Sequence, residues 1–225
     1  MSDLTGGPVD VRLRPAAGEP AGALILNHGR GTDENDLFGL LGELDPERRL
    51  LGITTGAPFT GIPPGGRHWY IVERVGFPDA ETFHYSYGLL TERLDAILAQ
   101  HSIGWSRTVI GGFSQGTVMS YAAALGPGRP TPAALLAFSG FIPEVDGWTP
   151  QLEGREGLRV LLHHGFNDPI IGADFGRRAG QRLQAGGITV EQLETEAGHW
   201  LPPEVIEPAR ATIAAALGLK GGAEA

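Results

Sequence analysis

The sequence predicts a single α/β domain built on a mostly parallel central sheet of about seven strands, with helices on both faces. Three observations support this prediction. Seven apolar or alternating runs recur along the chain, helix-like stretches separate most of them, and most of the runs carry no polar face. Strands that are apolar throughout need cover on both sides, which the helices connecting parallel strands provide. We find no internal repeat and no linker that would divide the chain.

The seven runs are expected to form strands at 9–13, 23–27, 50–54, 108–112, 133–139, 158–163 and 188–194. The first run is more polar than the others and is expected to be an antiparallel edge strand. Helix-like stretches occupy 33–44, 80–101, 115–125, 173–185 and 203–217. The predicted domain therefore spans 1–217, and the remaining tail, 218–225, is expected to be disordered.

Two long connections interrupt the alternation of strands and helices. Residues 55–79 are rich in glycine and proline, and residues 140–157 form the second connection. Long loops in compact domains are usually functional or disordered. Because the first connection contains Phe59, Trp69 and Tyr70, we expect it to be ordered, either as a pocket wall or as a loop held to the core by its aromatic rings.

The composition excludes several classes of protein. With 17 basic and 26 acidic residues the formal net charge is −9, which argues against nucleic acid or an anionic membrane as a partner. The absence of cysteine removes thiolate nucleophiles, thiolate metal sites and disulfides. The single lysine, Lys220, lies in the tail, so a phosphate-binding P-loop and Schiff-base catalysis are not expected. Because we see neither a signal peptide nor a run of ~20 apolar residues, we expect a cytoplasmic protein without an integral membrane segment.

Ser114 lies in the sequence GFSQG, directly after a predicted strand and before a predicted helix. Ligands of open parallel sheets bind beyond the carboxyl ends of the strands, so this serine is a candidate functional residue. A nucleophilic serine on such a turn has a strained backbone and an exposed hydroxyl, and the neighbouring glycines relieve crowding. The alternative is a serine that only caps the helix, which is a common role.

A serine nucleophile requires a base, and the base requires a carboxylate that orients it. On this type of sheet the three residues follow one another as serine, acid and histidine. Three histidines follow Ser114. His163 and His164 end a predicted strand, and any acid after them would break the order. His199 follows the last predicted strand, on a loop at the same edge of the sheet, and is the best candidate base.

Asp168 is the best candidate for the orienting carboxylate. It follows the sixth predicted strand in the sequence HGFNDPI, and Pro169 stiffens the chain directly after it. No strand anchors Asp146, and Asp174 is expected to begin a helix. Taken alone, an aspartate before proline is also an ordinary turn motif, so the position of Asp168 between the serine and the histidine decides in its favour.

Nucleophilic attack on a carboxyl carbonyl creates an oxyanion, which two backbone N–H groups usually stabilise. The candidates are the N–H of Gln115, next to the serine, and that of Arg30, in the sequence NHGRG after the second predicted strand. The same loop tests for a dinucleotide site. Gly29 and Gly31 begin the Gly-x-Gly-x-x-Gly pattern, but its third position is Glu34, so the pattern fails.

With these pieces in place, the sequence resembles the phospholipase/carboxylesterase family of α/β-hydrolases, which includes acyl-protein thioesterases. The shared motifs NHGRG, GGRHWY, GFSQG, HGFNDPII and AGHWLPPE run in family order over roughly residues 20–206. The resemblance implies an α/β-hydrolase fold without a separate lid domain. It also implies three catalytic residues and two oxyanion donors, which are Ser114, Asp168, His199, Arg30 and Gln115.

Two positions depart from the family pattern. Arg30 stands where family members often have an aliphatic residue, and Thr117 stands where a second glycine often follows the serine motif. A backbone donor tolerates any side chain except proline, so both departures are compatible with the oxyanion donors. An arginine at the pocket mouth argues against a long apolar acyl channel.

We therefore expect a serine hydrolase that cleaves carboxylic esters of short-to-medium acyl chains through an acyl-enzyme intermediate, without metal or organic cofactor. The expected partner is a small-molecule ester or thioester. Thioester and lysophospholipid hydrolysis use the same triad and stay open as alternatives, and a non-catalytic binding protein is a remote one. Six side chains are candidate pocket walls, each equally compatible with plain core packing: Phe59, Trp69, Tyr70, Ile170, Ile171 and Trp200.

Overall fold

Nine strands and five α-helices form the part of the chain that the computed structural model describes, residues 6–61 and 65–219. The strands are β1 (Asp10–Arg14), β2 (Gly22–Asn27), β3 (Leu50–Gly56), β4 (Val72–Arg74), β5 (Phe77–Pro78), β6 (Thr108–Phe113), β7 (Ala134–Phe138), β8 (Arg159–Gly165) and β9 (Thr189–Thr195). The helices are α1 (Phe38–Leu44), α2 (Ala80–Gln100), α3 (Gln115–Leu125), α4 (Ala173–Ala185) and α5 (Ile206–Leu217). Most of the predicted tail, residues 220–225, lies outside the described residues.

Seven of the strands form one sheet in the order β1-β3-β2-β6-β7-β8-β9. Strand β1 pairs antiparallel with β3, and every other pair in this sheet is parallel. Every residue of β2, β3 and β7 is buried, whereas β1 is partly exposed at the edge. The structure thus confirms the predicted mostly parallel sheet and its more polar antiparallel edge strand.

The two faces of the sheet bury separate hydrophobic cores, as the alternation along β2 illustrates. Ile25 packs into the core beneath α2, α3 and α4, while Leu24 and Leu26 pack into the core beneath α1 and α5. Helix α3 is buried along its whole length, because it crosses the middle of the sheet. This burial fixes the start of α3, and with it the residue that follows β6.

Two local features differ from the sequence-based prediction. The helix expected at 33–44 begins only at Phe38, because Asp33 accepts a hydrogen bond from the N–H of Asn35 at 2.8 Å and closes a turn instead. The connection 55–79 contains the hairpin β4–β5, which was not predicted from the sequence. The turn of this hairpin uses Gly76 at φ 93°, a backbone conformation that favours glycine.

Candidate active site

Ser114 occupies the turn between β6 and α3 in a left-handed conformation, with φ 54° and ψ −119°. Such a conformation costs a non-glycine residue about 1–3 kcal/mol, so the surrounding structure has to enforce it. Here the Ser114 N–H donates a hydrogen bond to the Phe138 carbonyl at 3.0 Å, which ties the turn to the end of β7. The serine side chain makes no capping hydrogen bond to the helix, so capping does not explain its presence.

The glycines of the GFSQG motif are required by a close approach between three segments of backbone. A Cβ at Gly112 would lie 2.5 Å from the carbonyl carbon of Gly116 and 2.6 Å from the carbonyl oxygen of Asn27. A Cβ at Gly116 would collide with the backbone of Asn27 and His28. Only glycine therefore lets β2, the serine turn and the start of α3 pack this tightly.

Ser114, His199 and Asp168 form one continuous chain of hydrogen bonds. The Ser114 Oγ lies 3.0 Å from His199 Nε2, and His199 Nδ1 lies 2.7 Å from Asp168 Oδ2. The other carboxylate oxygen, Oδ1, accepts the backbone N–H groups of Ile170 and Ile171 at 2.8 and 2.9 Å. Because both carboxylate oxygens are engaged, Asp168 is held in one orientation. It then favours the tautomer in which His199 Nδ1 donates and Nε2 is free to accept the serine proton.

His164 is close to the carboxylate but acts as a neutral neighbour. Its Nε2 lies 2.7 Å from the Ile171 carbonyl and 3.5 Å from Asp168 Oδ2. Burial lowers the pKa of His164 below the ordinary value of histidine, so the ring is uncharged at neutral pH. The carboxylate of Asp168 therefore interacts with His199 and not with a second charged histidine. The His199 ring packs against Phe113, with ring centroids 4.8 Å apart.

The two candidate oxyanion donors are held together by the segment that follows the long glycine-rich loop. Gln115 Oε1 accepts the Trp69 N–H at 3.0 Å, and Gln115 Nε2 donates to the Tyr70 carbonyl at 2.9 Å. Trp69 Nε1 donates to the His28 carbonyl at 2.9 Å, which anchors the strand end that leads to Arg30. Within the described residues, neither the Arg30 N–H nor the Gln115 N–H has a backbone acceptor, so both are available to a ligand.

A cavity of about 100 Å³ opens beside the serine. Its lining residues are Arg30, Tyr70, Val72, Arg74, Val75, Ser114, Gln115, Phe141, Ile170 and Ile171. Except for the serine, the glutamine and the two arginines, these side chains present hydrocarbon or aromatic surface. The cavity therefore offers an apolar slot with a serine hydroxyl, two N–H donors and two positive charges.

The six candidate pocket residues do not all lie together. Tyr70, Ile170 and Ile171 line the cavity. Phe59 is buried against Tyr85, with ring centroids 5.4 Å apart, and Trp69 is buried beneath the serine turn; neither lines the cavity. Trp200 is 54% exposed and does not line it either.

Sequence reasoning missed the cavity residues that the β4–β5 hairpin contributes, which are Val72, Arg74 and Val75. The signal was present in the sequence YIVERVGFPD, where two short β-prone runs flank a glycine. Phe141 was also missed, and no pattern in its sequence neighbourhood indicates that it lines the cavity. Among the described residues, no cluster of three His, Cys, Asp or Glu side chains is arranged to hold a metal ion.

Comparison with known proteins decides the family. The model of the phospholipase/carboxylesterase family matches residues 12–217, nearly the whole chain. The chain belongs to this family. The match confirms the resemblance seen in the sequence motifs and identifies the protein as a hydrolase of the esterase and thioesterase class.

Several family members and solved structures are similar to this chain. Acyl-protein thioesterase 1 from Debaryomyces hansenii is 26% identical over 205 residues, covering 84% of this chain and 87% of that protein. A carboxylesterase from Bacillus cereus superposes with a TM-score of 0.78 at 20% identity, covering 92% of this chain and 94% of that one. The structure of esterase PE8 superposes with a TM-score of 0.74 at 25% identity, covering 91% and 97%. These likenesses confirm the predicted α/β-hydrolase fold. Within the part of the chain described, no helix combines the length and the apolar character that crossing a bilayer demands.

The buried histidines next to the site predict a stability that declines in mild acid. Burial lowers the pKa of His28 and of His163 from 6.5 to about 4. Between these values the unfolded chain binds more protons than the folded one, so the free energy of unfolding falls as the pH drops from 6.5 towards 4. Each histidine accounts for about 2 kcal/mol of this loss at pH 5. Urea unfolding at pH 7 and pH 5 measures the decline.

His163→Gln isolates one of the two contributions. His163 Nε2 lies 2.9 Å from Thr195 Oγ1, a contact that the glutamine amide can replace without a titrating group. We expect the variant to lose about 2 kcal/mol less than the wild type between pH 7 and pH 5. His101→Gln, at the end of α2, serves as the matched control. Equal losses in His163→Gln and the wild type would contradict the assignment.

Proposed function

We propose that this protein is a serine hydrolase that cleaves carboxylic esters of short-to-medium acyl chains through an acyl-enzyme intermediate. The observation that carries the proposal is the unbroken hydrogen-bonded chain from Ser114 through His199 to Asp168, placed on a strained strand-to-helix turn. A serine that serves only as a structural residue needs neither the left-handed backbone nor a histidine aligned by a carboxylate.

The geometry supports a two-step reaction. The Ser114 Oγ attacks the ester carbonyl carbon while His199 Nε2 takes its proton, and the N–H groups of Arg30 and Gln115 stabilise the oxyanion. Collapse of the tetrahedral intermediate breaks the bond to the alkoxy oxygen, which leaves with the proton from His199. Water then attacks the acyl-enzyme with His199 as base, and a second collapse releases the acid and restores the serine. Asp168 orients the imidazole and stabilises its positive charge throughout.

The size of the cavity favours short acyl chains. A volume of about 100 Å³ lies well below the ~300–1,000 Å³ of pockets that enclose drug-sized ligands. Thioester hydrolysis is the second candidate, because the chain is similar to acyl-protein thioesterase 1 of Debaryomyces hansenii over most of its length. The triad serves both reactions, so the leaving group has to be determined by experiment.

A substrate panel tests the proposal directly. We expect kcat/KM for p-nitrophenyl butyrate to exceed that for p-nitrophenyl laurate by at least about tenfold, because the longer chain exceeds the cavity. S-butyryl thiocholine and butyryl choline form a matched thioester and ester pair, and lysophosphatidylcholine tests the third reaction. Preference for laurate or for lysophosphatidylcholine would overturn the short-chain assignment. No hydrolysis of any substrate above the Ser114→Ala background would overturn the hydrolase proposal.

A further inference from the structure

The cavity beside the serine is positively charged, although the protein as a whole is acidic. The chain carries a formal net charge of −9. Two arginines, Arg30 and Arg74, nevertheless line the cavity, and among the side chains that the structure describes no aspartate or glutamate lines it. A local field opposite in sign to the net charge favours ligands that carry negative charge.

Neither arginine is neutralised by a side chain that the structure describes. Elsewhere in the fold, arginines form ion pairs, as in Arg14–Asp45, Arg129–Asp95 and Arg177–Glu194. The Arg74 guanidinium instead lies 3.8 Å above the ring centroid of Phe77, next to the cavity.

Arg30 is exposed and lines the same cavity. Its charge lies close enough to Tyr70 to oppose part of the rise in the tyrosine pKa that burial causes. The positive charge of Arg30 therefore acts on a buried group of the cavity wall, although the residue itself is exposed to solvent. Together with Arg74 on the hairpin, it leaves ten guanidinium N–H donors without a described protein acceptor.

We propose that the ester substrate carries a carboxylate a few bonds from its scissile carbonyl, and that Arg30 and Arg74 bind this carboxylate. The proposal rests on the esterase function proposed above and names its substrate class. The planar guanidinium matches the two oxygens of a carboxylate, and hydrogen bonds between ionised partners are about twice as strong as neutral ones. The aliphatic side chains Val72, Val75 and Ile171 contact the short hydrocarbon chain between the two carbonyl groups.

Pairs of esters that differ only in one charged group test the preference. Monomethyl glutarate and methyl valerate place a carboxylate or a methyl group at the end of the acyl chain. 4-Acetoxybutyrate and butyl acetate make the same comparison on the alcohol side. Hydrolysis is followed by the acid released at constant pH, so no chromogenic leaving group is needed. We expect kcat/KM to favour the anionic ester in at least one pair by about tenfold or more, a preference that salt reduces.

Variants of the two arginines test whether Arg30 and Arg74 cause the preference for the anionic ester. In Arg30→Gln and in Arg74→Gln, the ratio of kcat/KM for the anionic ester to that for its neutral partner is expected to fall about tenfold. Arg159→Gln is the matched control, because it removes the same charge from the opposite, amino-terminal edge of the sheet at the start of β8. We expect this control to keep the wild-type ratio.

The outcomes separate this inference from the esterase proposal. If the protein hydrolyses neutral esters but shows no anionic preference in either pair, the carboxylate site is wrong and the esterase function stands. An anionic preference that survives in both Arg30→Gln and Arg74→Gln also overturns the site. If no ester of either kind is hydrolysed above the Ser114→Ala background, the esterase function itself fails.

Discussion

Replacing Ser114 by alanine is expected to lower kcat/KM for a short-chain ester by at least about 10⁴-fold. In the proposed mechanism the hydroxyl oxygen forms the acyl-enzyme, and the structure places His199 Nε2 3.0 Å from it. Alanine leaves the oxyanion donors and the cavity in place but removes the bond-forming atom. Any residual rate therefore reports on water attack assisted by the remaining groups. Steady-state hydrolysis of p-nitrophenyl butyrate measures the effect.

The fold of the Ser114→Ala variant is expected to stay intact, because the serine side chain makes no capping bond to the helix and its hydroxyl is hydrogen-bonded to the histidine. Ser106→Ala is the matched control. Ser106 is exposed in the short turn before β6, at the opposite edge of the sheet. Activity of Ser114→Ala within tenfold of the wild type, with Ser106→Ala unchanged, would show that another residue is the nucleophile.

Replacing Asp168 by asparagine is expected to lower kcat/KM about 10⁴-fold. The asparagine oxygen can still accept the N–H groups of Ile170 and Ile171, which holds the side chain in place. Its amide NH₂ then faces His199 Nδ1 and donates to it. The imidazole proton moves to Nε2, which can no longer take the proton of Ser114. The loss is expected in kcat, with the fold retained.

Asp174→Asn controls for the loss of a carboxylate nearby in the chain. Asp174 lies exposed in the first turn of α4 and pairs with Arg178. Its replacement by asparagine is therefore expected to leave kcat/KM within about twofold of the wild type. The double variant Ser114→Ala/Asp168→Asn provides a second check. Because the two residues act as one unit in the proposed mechanism, it is expected to be no slower than Ser114→Ala alone. If the loss of kcat/KM in the double variant equals the product of the losses in the two single variants, the two residues do not act as one unit.

The strands and their order along the chain could be predicted because the apolar residues of each run indicate how far the strand is buried. Runs such as ALILN in β2 carry no polar face, and the structure buries every residue of that strand. The same pattern located the candidate site. Ser114, Asp168 and His199 each follow a strand at the carboxyl edge, and adjacent parallel strands bring those ends together.

The parts that sequence reasoning missed depend on contacts between distant segments. Trp69 was a candidate pocket wall because it is aromatic and lies in a long loop. Its place is set instead by hydrogen bonds to His28, 41 residues earlier, and to Gln115, 46 residues later. The helix expected from residue 33 fails because the side chain of Asp33 competes locally for backbone N–H groups. Pairings of this kind leave no periodic trace in the sequence.

Labelling by a fluorophosphonate, which reacts with serines activated as nucleophiles, tests directly whether Ser114 is the nucleophile. The protein is treated in its folded state and after unfolding in urea, and the modified residue is located by mass spectrometry. We expect a single adduct on Ser114 in the folded protein, and none in Ser114→Ala or in the unfolded chain. A folded protein that stays unlabelled at Ser114, or that is labelled at another serine, would contradict the assignment of Ser114 as the nucleophile.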